Sequence, residues 1–170
     1  MVIRQETQKD FGQIYDLVKV AFQTAQVSNS KEQDFVNELR SKESYIPELA
    51  LVSEDEGKLT GHIMFTRMDI SGEDGKNHEF LLLAPVSVVL EYRSQGIGSA
   101  LIKEGMKRAE KMGFKAAILV GNPDYYHRFG YKSAISFGIK NKQNIPDENV
   151  MVYELVLDSL KGFQGMADFS

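Results

Sequence analysis

The sequence predicts a mixed α/β (α+β) domain, and three features carry that expectation. Two amphipathic helical stretches lie near the amino terminus, a block of long apolar strands follows, and a glycine turn then launches a third helix. The coarse order β α α β β β α β α β β calls for a mixed, mostly antiparallel sheet flanked by helices. At 170 residues, 42% apolar and 26% charged, the chain has the size and composition of one globular domain with a sizeable core.

Each element has a local reason. VIRQE alternates as a short strand, and Thr7 caps a helix over QKDFGQIYDLVKVAFQ, where Phe11, Ile14, Leu17, Val18 and Ala21 recur at helical spacing. AQVSNS reads as loop, and KEQDFVNELRS as a second amphipathic helix through Phe35, Val36 and Leu39. Strands come next: ELALVSED, a turn at Gly57, LTGHIMFTRMDI, the polar turn SGEDGKNH, then EFLLLAPVSVVL from Glu79 to Leu90. Pro85 removes a ladder donor inside that last strand, which must be bulged, bent or unpaired there.

SALIKEGMKRAEKMG is a helix with Leu101, Ile102, Met106 and Ala109 on one face and Gly113 at its end. KAAILVG is a short buried strand. NPDYYHRFGY is a short helix with Asn122 as cap, Pro123 in its first turn and Gly130 as its stop. SAISFGI and MVYELVL read as strands around the polar loop KNKQNIPDEN. No repeat or linker divides the chain, so the expected organisation is one domain over residues 1–158 and a polar C-terminal tail over 159–170.

A formal net charge of -4 weighs against nucleic acid or an anionic membrane as partner. The absence of cysteine excludes disulfides, thiolate metal sites and a cysteine nucleophile. MVIRQETQKD is charged too early for a secretory signal, and no run of about 18 apolar residues occurs; a cytoplasmic protein is expected. No His/Asp/Glu spacing suggests a metal. Edge strands near the carboxyl terminus are compatible with a homodimer.

The turn YRSQGIGSALI holds the most chemical information. Amides at a helix start lack intrahelical partners and sit at the positive end of the helix dipole, and glycines let an anion approach them. GIGSAL lacks the Gly-Lys-Ser/Thr ending of a nucleotide P-loop. In Gly96-x-Gly98-x-x-Leu101, leucine fills the slot where a dinucleotide fingerprint needs a small residue. Taken alone, the turn is equally an anion site or a plain strand-to-helix connection.

With its flanks, Arg93-Ser94-Gln95-Gly96-Ile97-Gly98 resembles the Arg/Gln-x-x-Gly-x-Gly/Ala motif of the GCN5-related N-acetyltransferases (GNAT). About thirty residues on, YYHRFGY resembles the Tyr-x-x-x-Gly-Phe/Tyr segment that closes that family's acetyl-coenzyme A site. GHIMFT, LAPVSVVLEYRSQGIGSALI and GNPDYYHRFGY together look most like the bacterial branch similar to YhbS. The resemblance spans most of the chain and is strongest from Gly61 to Tyr131.

The resemblance implies a GNAT-like sheet splayed at the cofactor strand and an acetyl-CoA-dependent enzyme acting on the primary amine of a small molecule. Transfer would proceed by direct attack through a tetrahedral intermediate. The coenzyme pyrophosphate would rest on the segment Arg93, Ser94, Gln95, Gly96, Ile97, Gly98 and Ser99, with the pantetheine arm along Val86, Ser87 and Val88. Tyr126, four residues before Gly130, would be the general acid, with Tyr125 and Tyr131 packing. Glu79 and His62 are the candidates for the base, and Asn122 is a cofactor contact or only a cap. Acceptor choice would fall to the first two helices and the loops Gln26–Ser30 and Lys140–Asn149, with Glu32 and Asp34 as acidic residues that would attract a cationic amine. Two other readings are an acyl-CoA-binding regulatory or interaction module without turnover, and an acetyltransferase acting on proteins or peptides.

Overall fold

The computed structural model describes residues 1–23 and 30–170; positions 26–29 of the loop expected to aid acceptor choice lie outside them. The fold is α/β, with a mixed, mostly antiparallel sheet and flanking helices. Two compact units make up the chain: residues 1–66 with 83–108, and residues 67–82 with 109–170. Strands β3 (Lys58–Gly72) and β4 (Asn77–Val88) contribute to both, as does α3 (Ile97–Lys111).

In the first unit β1 (Val2–Gln5) pairs antiparallel with β2 (Tyr45–Asp55) in the register Val2↔Glu54 to Gln5↔Leu51, and β2 pairs antiparallel with β3. The carboxylate of Asp10 accepts the Thr7 amide at 2.8 Å and shapes the entry to α1 (Phe11–Gln23), as Thr7 led one to expect. Helix α1 buries Ile14, Leu17 and Val18, and α2 (Glu32–Leu39) buries Val36 and Leu39. Those side chains pack on Ala50, Val52, Leu59, Met64 and Ala84 of the strands. Apolar recurrence every three or four residues on both helices, facing alternating positions on the strands, is what makes this core.

In the second unit β5 (Ala116–Val120) pairs parallel with β4 at Leu81↔Ala117 and Leu82↔Ile118, ahead of Pro85. Its other neighbour is β8 (Val150–Glu154), antiparallel from Ala116↔Glu154 to Val120↔Val150. Beyond β8 lies the two-residue β6 (Lys132–Ser133). Between β5 and β6 comes the short helix α4 (Pro123–Tyr126), its Asp124 amide capped by Asn122 Oδ1 at 2.9 Å.

Two expectations need correction here. SAISFGI is not a strand: Ala134–Phe137 form a 3-10 turn between β6 and β7 (Ile139–Asn141). The Ser136 hydroxyl donates to the Ser133 carbonyl at 2.6 Å, a local bond that competes with a ladder. The segment read as a polar tail is part of this unit's core. Its β9 (Gly165–Ala167) pairs antiparallel with β3 at Ser71↔Met166 and parallel with β7, and Leu160 and Ala167 are buried with Ile70, Phe80, Ile118 and Ile139.

Candidate active site

The glycine turn is built as an open anion cradle. After β4 a 3-10 turn, Leu90–Tyr92, leads to Ser94 at φ 64° and Gly96 at φ 81°, and α3 begins at Ile97. Glycine tolerates that left-handed conformation without the steric cost of a Cβ. The Ala100 amide donates to the Gly96 carbonyl at 3.0 Å, so the amides of Ile97, Gly98 and Ser99 precede the first intrahelical donor of α3. Nothing lies within 4 Å of where a Gly96 side chain would project, and Ser94, Gln95 and Gly96 are exposed. Ile97, by contrast, is buried and pins the helix start. Amides without partners, a positive helix end and open space together suit a phosphate group.

Arg93 has another engagement. Its Nη2 donates to the Ala21 carbonyl at 2.8 Å, near the C-terminus of α1. Gln95 Nε2 makes a long bond of 3.4 Å to the Glu91 carbonyl.

On β4, Val86 and Val88 are half-buried, whereas Ser87 between them is buried with its hydroxyl lacking a hydrogen-bond partner. The preceding strand makes room for it: a Cβ on Gly61 would lie 3.0 Å from the Ser87 carbonyl oxygen and 2.8 Å from Ser53 Oγ. Gly61 is thus a close-approach glycine.

One candidate base is corrected by position. His62 has no exposed surface, and its Nε2 lies 2.9 Å from Glu6 Oε1 in the interior of the first unit. Arg40 and Tyr45 bind the same carboxylate, so His62 is sealed from any incoming amine. Glu79 is exposed and loosely paired with Arg67 at 3.8 Å. It stands near the start of β4, and a strand advances about 3.3 Å per residue, so about 30 Å of chain separates it from Val88.

Tyr126 lies in an aromatic group of the second unit, with Tyr125 edge-on at 4.9 Å between centroids and Tyr131 at 6.1 Å. Burial, aided by neighbouring Tyr125, pushes its phenol up to about 12. Tyr131 is fully buried with its hydroxyl unpaired, and its phenol is raised further by burial. Asn122 uses its side-chain oxygen as the α4 cap. His78 pairs with Asp74 at 2.9 Å, and His127 Nδ1 lies 3.0 Å from the Tyr131 carbonyl.

The sequence reading missed Gly121 and Asn149, whose hydrogen bonds join positions 28 residues apart; no local pattern links them. Among the described residues no group of three or more His, Asp or Glu is arranged to hold a metal, and no helix is long and apolar enough to cross a membrane.

Residues 2–134 match the family model described as an acetyltransferase (GNAT) domain. The chain belongs to the GNAT acetyltransferase family. This GNAT chain is 27% identical over 169 residues to YhbS of Escherichia coli K12, described as an uncharacterised N-acetyltransferase; the match covers 99% of the chain and 96% of YhbS. The crystal structure of E. coli YhbS in complex with CoA superposes with a TM-score of 0.87 at 26% identity, covering 99% of this chain and 89% of that one. A GNAT family acetyltransferase from Brucella melitensis, solved in complex with acetyl-CoA, gives a TM-score of 0.74 at 29% identity, covering 90% and 86%.

Proposed function

We propose that this GNAT chain transfers the acetyl group of acetyl-CoA to the primary amine of a small molecule. The carrying observation is the turn of Ser94 and Gly96, which opens the amide end of α3 to an anion. Crystallisation of the similar YhbS and Brucella proteins with CoA and acetyl-CoA supports the identity of that anion.

Bound acetyl-CoA would supply an acetyl group activated as a thioester. The amides from Ser94 to Ser99 hold the pyrophosphate without needing a lysine, and the backbone of Val86, Ser87 and Val88 takes the pantetheine arm as an added strand. The Val88 amide donates to the thioester carbonyl oxygen, which makes the acetyl carbon more electrophilic. Tyr126 carries its phenol proton throughout the neutral range, as an ordinary phenol does, and burial moves its pKa further up, to about 12. That is the state from which a general acid acts on the departing sulfur. His62 is closed in against Glu6 and Glu79 stands nine strand residues before Val88, so in this reading the proton of the amine passes to water.

The test is thiol release from acetyl-CoA against a panel of primary amines, beside calorimetric binding of acetyl-CoA. Amine-dependent release supports the reading. Tight binding with no release above hydrolysis for any amine refutes it and favours a non-catalytic acyl-CoA module. Tyr126→Phe should lower kcat by about 100-fold or more, with KM for acetyl-CoA nearly unchanged; an equal rate removes Tyr126 from the mechanism.

A further inference from the structure

We infer that Gly121 and Asn149 form a seat that sets the ring position of Tyr126, which makes both of them positioning residues for proton donation; their part in turnover rests on the role proposed for Tyr126. Gly121 follows the last residue of β5. A Cβ at this position would lie 2.5 Å from Tyr126 Cε2 and 3.0 Å from Cδ2, far inside the usual carbon–carbon contact of about 3.5–4.0 Å. The tyrosine ring occupies the volume of the missing side chain. Gly121 does not have the positive φ that marks Gly130 or Gly113, so its backbone conformation is open to any residue. The ring is the nearest obstacle to a side chain here, with Leu119 Cδ1 next at 3.2 Å.

The backbone under the ring is fixed. The Gly121 amide donates to the Asn149 carbonyl at 2.9 Å, and the Asn149 Nδ2 donates back to the Gly121 carbonyl at 3.1 Å. Asn149 is anchored in turn: its amide donates to the Pro146 carbonyl at 2.9 Å, and the next residue, Val150, pairs with Val120. Gly121 therefore has no easy retreat from an added methyl group. On its other sides the Tyr126 ring meets Tyr125, Phe129 and the fully buried Tyr131. A methyl group on residue 121 displaces the phenol rather than the backbone, and a shift of about 1 Å in a reacting group is enough to cost about 100-fold in rate.

The test uses the full chain with Gly121→Ala and Asn149→Ala, each alone and with Tyr126→Phe, and the amine that releases thiol fastest. Gly121→Ala should lower kcat about 30- to 100-fold while KM for acetyl-CoA stays within about twofold. In the Tyr126→Phe background it should change kcat less than about twofold, because the ring it displaces no longer carries the donating hydroxyl. Asn149→Ala should cost less, about fivefold, since it loosens the seat without filling it. Asn149→Asp, which turns a carboxylate towards the Gly121 carbonyl, should be worse than Asn149→Ala. Gly121→Ala slowing the Tyr126→Phe protein as much as the parent would overturn the inference.

A second readout does not depend on turnover. In protein labelled with 3-fluorotyrosine, the Tyr126 fluorine resonance is assigned by its loss in Tyr126→Phe, among seven tyrosines. Gly121→Ala and Asn149→Ala should both move that line. If Tyr126→Phe keeps full activity, or no amine is accepted, the acid role fails while this spectrum still decides the seat: a displaced line supports it and an unmoved one overturns it.

Discussion

Replacing Glu6 with glutamine should remove a pH-dependent part of this protein's stability. Glu6 follows β1 with its carboxylate fully buried, and it accepts Arg40 Nε at 2.8 Å, Arg40 Nη2 at 3.0 Å and the Tyr45 hydroxyl at 2.7 Å, with His62 Nε2 at 2.9 Å. Burial opposes the charge, but the bonds from His62, Arg40 and Tyr45 outweigh it and hold the carboxyl at about 2, against an ordinary 4.5. A depressed folded pKa means that the unfolded chain takes up its proton first as pH falls. The stabilisation is therefore complete above pH 4.5 and is lost between there and about pH 2. At about 1.4 kcal/mol per tenfold it amounts to about 3 kcal/mol, of which about 2 kcal/mol is gone by pH 3. Urea unfolding of wild type and Glu6→Gln at pH 7, 5 and 3 measures this directly. At pH 7 the variant should be less stable by about 3–5 kcal/mol, because Arg40 keeps a buried charge without its anion. At pH 3 the gap should narrow by about 2 kcal/mol. A gap that stays constant from pH 7 to pH 3 would refute the reasoning, since an ionised Glu6 would then not be its source.

Further outcomes follow from the cradle and the C-terminal segment. Gly96→Ala places a Cβ at φ 81° and should cost about 1–2 kcal/mol in urea unfolding while weakening acetyl-CoA binding about tenfold or more by calorimetry. Arg93→Ala should lower the melting temperature by removing the bond to the Ala21 carbonyl, yet change acetyl-CoA affinity less than about threefold, well under 1 kcal/mol; a loss beyond tenfold would return Arg93 to phosphate contact. Deleting residues 159–170 should lower unfolding free energy by about 4 kcal/mol, because full burial of a Leu- or Phe-sized side chain is worth about 1.5–3 kcal/mol and the segment buries Leu160 and half-buries Phe163 and Phe169 against the core. Unchanged stability would return it to the status of a tail.

What could be read from the sequence was whatever depends on neighbours in sequence. The periodicity of α1 and α3, the cap at Asn122 and the left-handed stop at Gly130 are properties of a few consecutive residues, and each is found where its local pattern puts it. The glycine turn is local too, since strand, left-handed residues and helix start follow one another directly. Short elements escaped for the converse reason. At three residues, β9 offers no alternation to detect and exists because Ser71 and Ile139 supply partners from distant parts of the chain.

The candidate bases show where such reading stops. His62 looked available because GHIMFT displays it on a strand face, but its environment is set by Glu6, fifty-six residues earlier, and by Arg40 and Tyr45. Glu79 is a different case, because the nine strand residues that separate it from Val88 can be counted in the sequence itself. Carrier recognition by backbone amides tolerates many side chains and leaves its trace in glycines and in chain direction. Proton transfer needs one group within hydrogen-bond reach, about 3 Å, of another, and that proximity is a product of tertiary packing. In the roles proposed for this chain the difference falls between the turn at Gly96 and the ring of Tyr126. The first is specified by the residues beside it, while the second depends on a glycine at 121 and an asparagine at 149 that no motif names.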